Sequence, residues 1–166
     1  MEPELLTIFH FNDIYNIQPH SQEPKGGAAY FNSLLQREKK KYQHPLTLFS
    51  GDAFAPSLLS TEFDGENMIK PLNAFGIDLA CLGNHDLDYE LEHVRNLIDQ
   101  TNFPWLLSNI YDNRTNRRLA EGLETYIFEK NGMKIGVFSL AEKEWIDTLY
   151  PSYKEICVYL PFIEFA

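Results

Sequence analysis

Cysteine is scarce, long apolar runs are missing and basic residues are outnumbered; each shortage removes a class of function. Two cysteines, Cys81 and Cys157, are too few for a disulfide framework. Neither lies beside a histidine in a local nucleophile signature, and Cys81, inside an apolar run, reads as a small core residue. No apolar run approaches the ~18 residues of a membrane-spanning helix. With 14 Lys and Arg against 24 Asp and Glu, the formal charge is −10. That balance argues against a nucleic-acid interface, which needs clustered positive charge. It reads first as a soluble surface, and second as carboxylates gathered around cations. The phosphate-cradling Gly-x-x-x-x-Gly-Lys-Ser/Thr loop and the Gly-x-Ser-x-Gly nucleophile turn are both absent. Met1-Glu2-Pro3-Glu4 is acidic and unlike a secretory leader, so the expectation is a cytoplasmic protein without membrane contact. Asn113-Arg114-Thr115 matches a glycosylation acceptor but, without a leader, reads as a surface turn.

What is present is a strand–helix alternation. The 166 residues, 44% hydrophobic, suffice for one domain with a substantial core. Strands are predicted over residues 5–12, 46–50, 77–82 and 104–109. Helices are predicted over 28–42, with Phe31, Leu34 and Leu35 on one face, over 66–75 ending at Gly76, and over 89–100, where Leu91, Val94, Leu97 and Ile98 recur at helical spacing. The charged run 37–41 reads as a solvated helix end. Residues 51–57 and 110–123 are expected as loops. Asn131-Gly132 between two apolar alternating stretches signals a hairpin. The pattern is that of an α/β fold. Residues 1–145 form the expected domain and 146–166 a tail, whose apolar end (Cys157 to Ala166) either packs on the domain or stays exposed.

The chemistry sits where strands end. Thr7-Ile8-Phe9-His10-Phe11 leads to Asn12-Asp13-Ile14-Tyr15, and Leu46-Thr47-Leu48-Phe49-Ser50 leads to Gly51-Asp52. Ile77-Asp78-Leu79-Ala80-Cys81-Leu82 leads to Gly83-Asn84-His85-Asp86. Open α/β sheets keep ligand sites at the carboxyl ends of their strands. Carboxylates, an amide oxygen and an imidazole there fit a pair of divalent cations about 3.5–4 Å apart, able to clamp a phosphate ester and activate water. Asp86, next to His85, would hold the imidazole's tautomer and favour its acid form.

His10-Phe11-Asn12-Asp13-Ile14-Tyr15, Gly26-Gly27-Ala28-Ala29, Ser50-Gly51-Asp52 and Leu82-Gly83-Asn84-His85-Asp86, in this order, resemble the calcineurin-like metallophosphoesterases, and within them the 5′-nucleotidase family. The resemblance runs from residue 5 to about 145. It implies part of a four-layer α/β/β/α sandwich, ending after its first half, and a phosphoric monoester hydrolase acting on phosphate monoesters or nucleotides. It implies Mn, Zn, Fe or Co as cations, with Asp13 a ligand of the first, Asp52 the bridge and Asn84 a ligand of the second. His85 would stabilise transition-state charge or protonate the leaving group, oriented by Asp86.

Two departures matter. Tyr15 stands where the family pattern Asp-x-His places a ligand. A phenol ligates a hard cation only after losing a proton of pKa about 10, so Tyr15 is either a costly ligand or a hydrogen-bond partner of a water on the cation. The family's later Thr-His and Gly-His-x-His motifs do not occur in these residues, and His10, His20, His44 and His93 do not replace them. The rival to an enzyme is therefore a non-catalytic interaction module or truncated isoform, self-associating through the apolar tail.

Overall fold

The structure, a computed structural model, describes residues 5–130 and 132–165. Four short strands, β1 (Ile8–Phe11), β2 (Leu46–Phe49), β3 (Leu79–Cys81) and β4 (Trp105–Leu106), form a parallel sheet in that order. Parallel pairing needs a crossover between successive strands. Here α1 (Ala28–Lys39) joins β1 to β2, α2 (Leu58–Phe63) and α3 (Ile69–Phe75) join β2 to β3, and α4 (Leu91–Asp99) joins β3 to β4.

Period-two alternation divides each strand between two apolar layers. Phe9, Phe11, Phe49, Ala80 and Trp105 share the larger core with Leu35, Leu72, Phe75, Val94 and Leu97 of the helices. Leu46, Leu79 and Leu106 face the other way, under Phe128, Ile135 and Val137. Those three belong to a hairpin of β7 (Tyr126–Lys130) and β8 (Met133–Val137), paired antiparallel from Tyr126↔Val137 to Lys130↔Met133. The expected hairpin is thus present; Asn131 of its turn lies outside the described residues. Each fully buried Leu or Phe contributes roughly 1.5–3 kcal/mol, so two-sided burial is what makes such short strands stable.

One expectation is corrected, one helix is added, and the tail, left open above, is placed. Residues 110–123 are not a surface loop: β5 (Ile110–Asp112) and β6 (Arg117–Arg118) pair there, and Ile110, Asp112 and Leu119 are fully buried. A buried aspartate is tolerated there because the Arg114 guanidinium donates to Asp112, through Nε at 2.9 Å and Nη2 at 2.7 Å. Helix α2 escapes periodicity because it spans six residues; its signal is a capping box of Ser57 and Ser60. The tail is packed: after α5 (Lys143–Asp147) and α6 (Pro151–Ile156), β9 (Cys157–Tyr159) adds to β5, and Leu149 and Tyr153 enter the main core. A terminal helix α7 (Phe162–Phe165) follows, with Phe165 against Phe138.

The Asn113 amide donates to the Glu155 carbonyl at 2.9 Å, tying that turn to α6. Among the described residues no helix is long and apolar enough to cross a membrane.

Candidate metal centre

Parallel register is what assembles the site. Phe11 pairs with Phe49, and Phe49 with Ala80, so the loops after β1, β2 and β3 leave the sheet side by side. Asp13 N–H donates to Gly51 O at 3.1 Å and Ile14 N–H to Asp52 O at 3.0 Å, which locks the first two loops together. Asp13 and Asp52 both occupy the left-handed region, at φ 55° and 64°. Aspartate tolerates that conformation better than most side chains, and the local hydrogen bonds hold it there.

Two glycines let the third loop close in. A Cβ on Gly83 would fall on the Asp52 carboxylate, and a Cβ on Gly51, at φ 81°, would fall on the Gly83 backbone. With both absent, the His85 N–H reaches Asp52 Oδ1 at 2.9 Å. On the other side, the Tyr15 hydroxyl lies between the two carboxylates, 2.5 Å from Asp13 Oδ1 and 3.1 Å from Asp52 Oδ2. Asn12 Nδ2 donates to the remaining Asp13 oxygen. Burial pushes the Asp52 carboxyl above its ordinary pKa, offset in part by the His85 N–H and Tyr15 hydroxyl bonds. Burial first, and then the bond to Asp13, raise the Tyr15 phenol well above its usual value.

His85 and Asp86 separate in role. The expectation that Asp86 orients His85 is corrected: Nδ1 of His85 meets Asp88 Oδ2 at 2.8 Å. Residues 85–87 form a single 3₁₀ turn, in which positions three apart face one another and adjacent ones do not. Asp88 raises the His85 pKa by holding the charged imidazole. Asp86 points inward, wholly buried. Its Oδ1 accepts from Ala53 N at 2.8 Å and Phe54 N at 3.1 Å, and its Oδ2 from Asp52 N at 2.8 Å and Gly83 N at 2.9 Å. Burial pushes that carboxyl up to about 6 despite the four donors. Asp86 is the clamp that shapes the Asp52 and Asn84 loops. Asp88, which sequence reasoning passed over, could have been found from its three-residue spacing to His85.

Asn84 and Asp52 line a cavity of about 570 Å³ between the sheet and the hairpin, with His10, Ser50, Glu142 and Trp145. His10 Nε2 lies 2.6 Å from Ser50 Oγ. One wall is set by buried Ser108 and Asn109, which bond the backbone of Ser139 at 2.8 Å and Ala141 at 2.9 and 2.8 Å. The structure therefore gathers Asp13, Tyr15, Asp52 and the His85 backbone, and sets Asn84 on the adjoining cavity wall. His20, His44 and His93 have no part in it; His93 bonds the Asp64 carbonyl instead. Among the described residues no three His, Cys, Asp or Glu side chains come together as an ion-holding group. The donor chemistry fits a hard divalent cation beside Asp52 and Asn84, but the count falls short of a two-cation centre.

Residues 6–156 match the family model described as calcineurin-like phosphoesterase. The chain is 32% identical over 152 residues to a 5′-nucleotidase of Vibrio cholerae, covering 89% of this chain and 27% of that protein. It is 30% identical over 146 residues to a NAD 5′-nucleotidase of Haemophilus influenzae, covering 81% of this chain and 24% of that protein. In structure it is similar to the Haemophilus influenzae NAD nucleotidase, with TM-score 0.82 and 26% identity, over 96% of this chain and 30% of the other. A Thermus thermophilus 5′-nucleotidase precursor shares the fold, with TM-score 0.77 and 21% identity over 96% of this chain and 32% of the other. The chain thus spans about a quarter of the length of the curated relatives it matches. Strand-end aspartates, the Gly-Asn-His-Asp turn and a family match across nearly all its residues establish this chain as a member of the calcineurin-like phosphoesterase family.

Proposed function

We propose that these residues contribute to hydrolysis of a phosphate monoester, with nucleotides as the substrate class. The observation that carries the reading is the convergence of Asp13, Asp52 and the His85 turn at one end of the parallel sheet. Relatives named 5′-nucleotidase and NAD 5′-nucleotidase support the substrate class.

Asp13, Asp52 and Asn84 are the residues that would hold Mn, Zn, Fe or Co. Such a cation supplies a Lewis acid for the phosphoryl oxygens and a water of lowered pKa. The finer form of the proposal has two cations sharing Asp52, and it calls for donors beyond the described residues. His85, whose protonated form Asp88 favours, donates to the leaving oxygen or to charge developing on the phosphoryl group. Asp86 acts at one remove, by fixing the backbone that carries Asp52 and Asn84. The cavity beside Asp52 accommodates the organic part of an ester.

The test is Mn²⁺-dependent release of phosphate from AMP and from a generic aryl phosphate, with Asp52→Asn as control. A rate above the control supports catalysis by this chain; equal rates overturn it. The second reading, an interaction module, is favoured by Ile163 on α7, which is 90% exposed beside half-exposed Phe162. Light scattering across a concentration series decides it, since a strictly monomeric chain excludes self-association through the tail.

A further inference from the structure

We propose that Glu142 and Trp145 select the alcohol half of the substrate. The carboxylate accepts from hydroxyl or amino groups of that alcohol, and the indole packs on a flat heteroaromatic ring; a nucleoside offers both. The inference rests on the phosphate-ester reading above and concerns which ester the site prefers. Asp52 and Asn84 reach the cavity from the sheet, whereas Glu142 and Trp145 line it from the segment that follows the hairpin.

That second wall is fixed at its root. The buried Asn109 side chain accepts from the Ala141 N–H at 2.9 Å and donates to the Ala141 carbonyl at 2.8 Å, one residue before Glu142. The Trp145 N–H donates to the Glu142 carbonyl at 3.1 Å, and the indole is half-buried against the main core. A ring already held in this way loses little freedom when a second ring packs on it. Glu142 is exposed and its side chain does not cap α5, which leaves the carboxylate to the cavity. A carboxylate repels a phosphate dianion but accepts O–H and N–H groups, so its chemistry suits the alcohol rather than the phosphoryl group. On the sheet wall the His10–Ser50 pair, 2.6 Å apart, adds polar atoms of its own. A plain aryl ester uses only the apolar part of this lining; a nucleoside ester uses the polar part as well.

Tryptophan fluorescence with adenosine, the alcohol alone, tests this without cation or hydrolysis. The sequence has two tryptophans, and Trp105 is 2% exposed among Phe49, Phe54 and Phe103, so a saturable change in emission reports Trp145. The expected result is saturable quenching that is absent from Trp145→Phe. In Glu142→Ala the apparent Kd should rise about 10–100-fold, the range for a hydrogen bond to a charged group. Glu142→Gln, which keeps an acceptor oxygen but no charge, should fall between. With Mn²⁺ present, the ratio of kcat/KM for AMP to that for an aryl phosphate should drop to a similar degree in Glu142→Ala, through KM rather than kcat. No quenching by adenosine, a response that persists in Trp145→Phe, or one apparent Kd shared by the unaltered and Glu142→Ala chains overturns the proposal. An unchanged ratio with hydrolysis intact also overturns it and leaves the phosphate-ester reading standing. Adenosine binding without Mn²⁺-dependent phosphate release from either ester overturns that reading instead, a separate and recognisable failure.

Discussion

Replacing Asp86 by alanine separates the carboxylate that shapes the site from the one that serves it. Four backbone N–H groups, of Asp52, Ala53, Phe54 and Gly83, converge on the buried Asp86 carboxylate. Stranding a buried donor costs about 1–3 kcal/mol, so the gross loss is about 4–12 kcal/mol. Two effects offset it. The ionised carboxylate is itself costly to bury: a pKa of about 6 against 3.8 corresponds to about 3 kcal/mol at neutral pH, which alanine recovers. A water entering the vacated space re-satisfies some donors. The net expectation is a loss of about 4 kcal/mol, a large part of the ~5–15 kcal/mol that stabilises an ordinary domain. At ~2–4 °C per kcal/mol for a chain of this size, Tm falls by ~8–16 °C. The assay is denaturant and thermal unfolding followed by circular dichroism at pH 7.5, with Asp88→Ala as comparator. Asp88 is partly exposed and bonds only the His85 ring, so its loss should cost under ~1 kcal/mol while lowering the His85 pKa in an NMR titration. If Asp86→Ala unfolds within 1 kcal/mol of the unaltered chain, the clamp is not what holds the two loops.

Two further outcomes follow from the same geometry. Gly83→Ala needs no unusual φ but places a methyl on the Asp52 carboxylate; it should cost ~1–3 kcal/mol and weaken Mn²⁺ retention, and unchanged retention in equilibrium dialysis would contradict the close approach. Asp112 is depressed below its ordinary pKa by Arg114, so its contribution is present above the unfolded carboxylate range and lost as pH falls through the lower folded value; Asp112→Asn should flatten the acid limb of a stability–pH profile.

The α/β class, the four strands of the main sheet and the strand-end positions of Asp13, Asp52 and Asn84 were legible in sequence. Apolar runs buried on both faces, each ending in a polar or glycine-rich turn, admit few other arrangements, and local periodicity needs no partner to be read. The roles within the site were less legible. Asp86 and Asp88 are both acidic neighbours of His85; only the 3₁₀ turn decides that one faces the imidazole and the other four backbone donors. Tyr15 as a link between two carboxylates depends on a residue 37 positions away, reached through strand register. Residues 110–123 looked like a loop because their polar groups are paired at long range or, as with Asp112, by a guanidinium two residues on. The sequence by itself determined the strands of the main sheet, the larger helices between them and which end of that sheet carries the chemistry, because those follow from side-chain size, polarity and spacing. Only the tertiary structure decided which donor meets which acceptor, because hydrogen bonding inside a packed core is settled by partners distant along the chain.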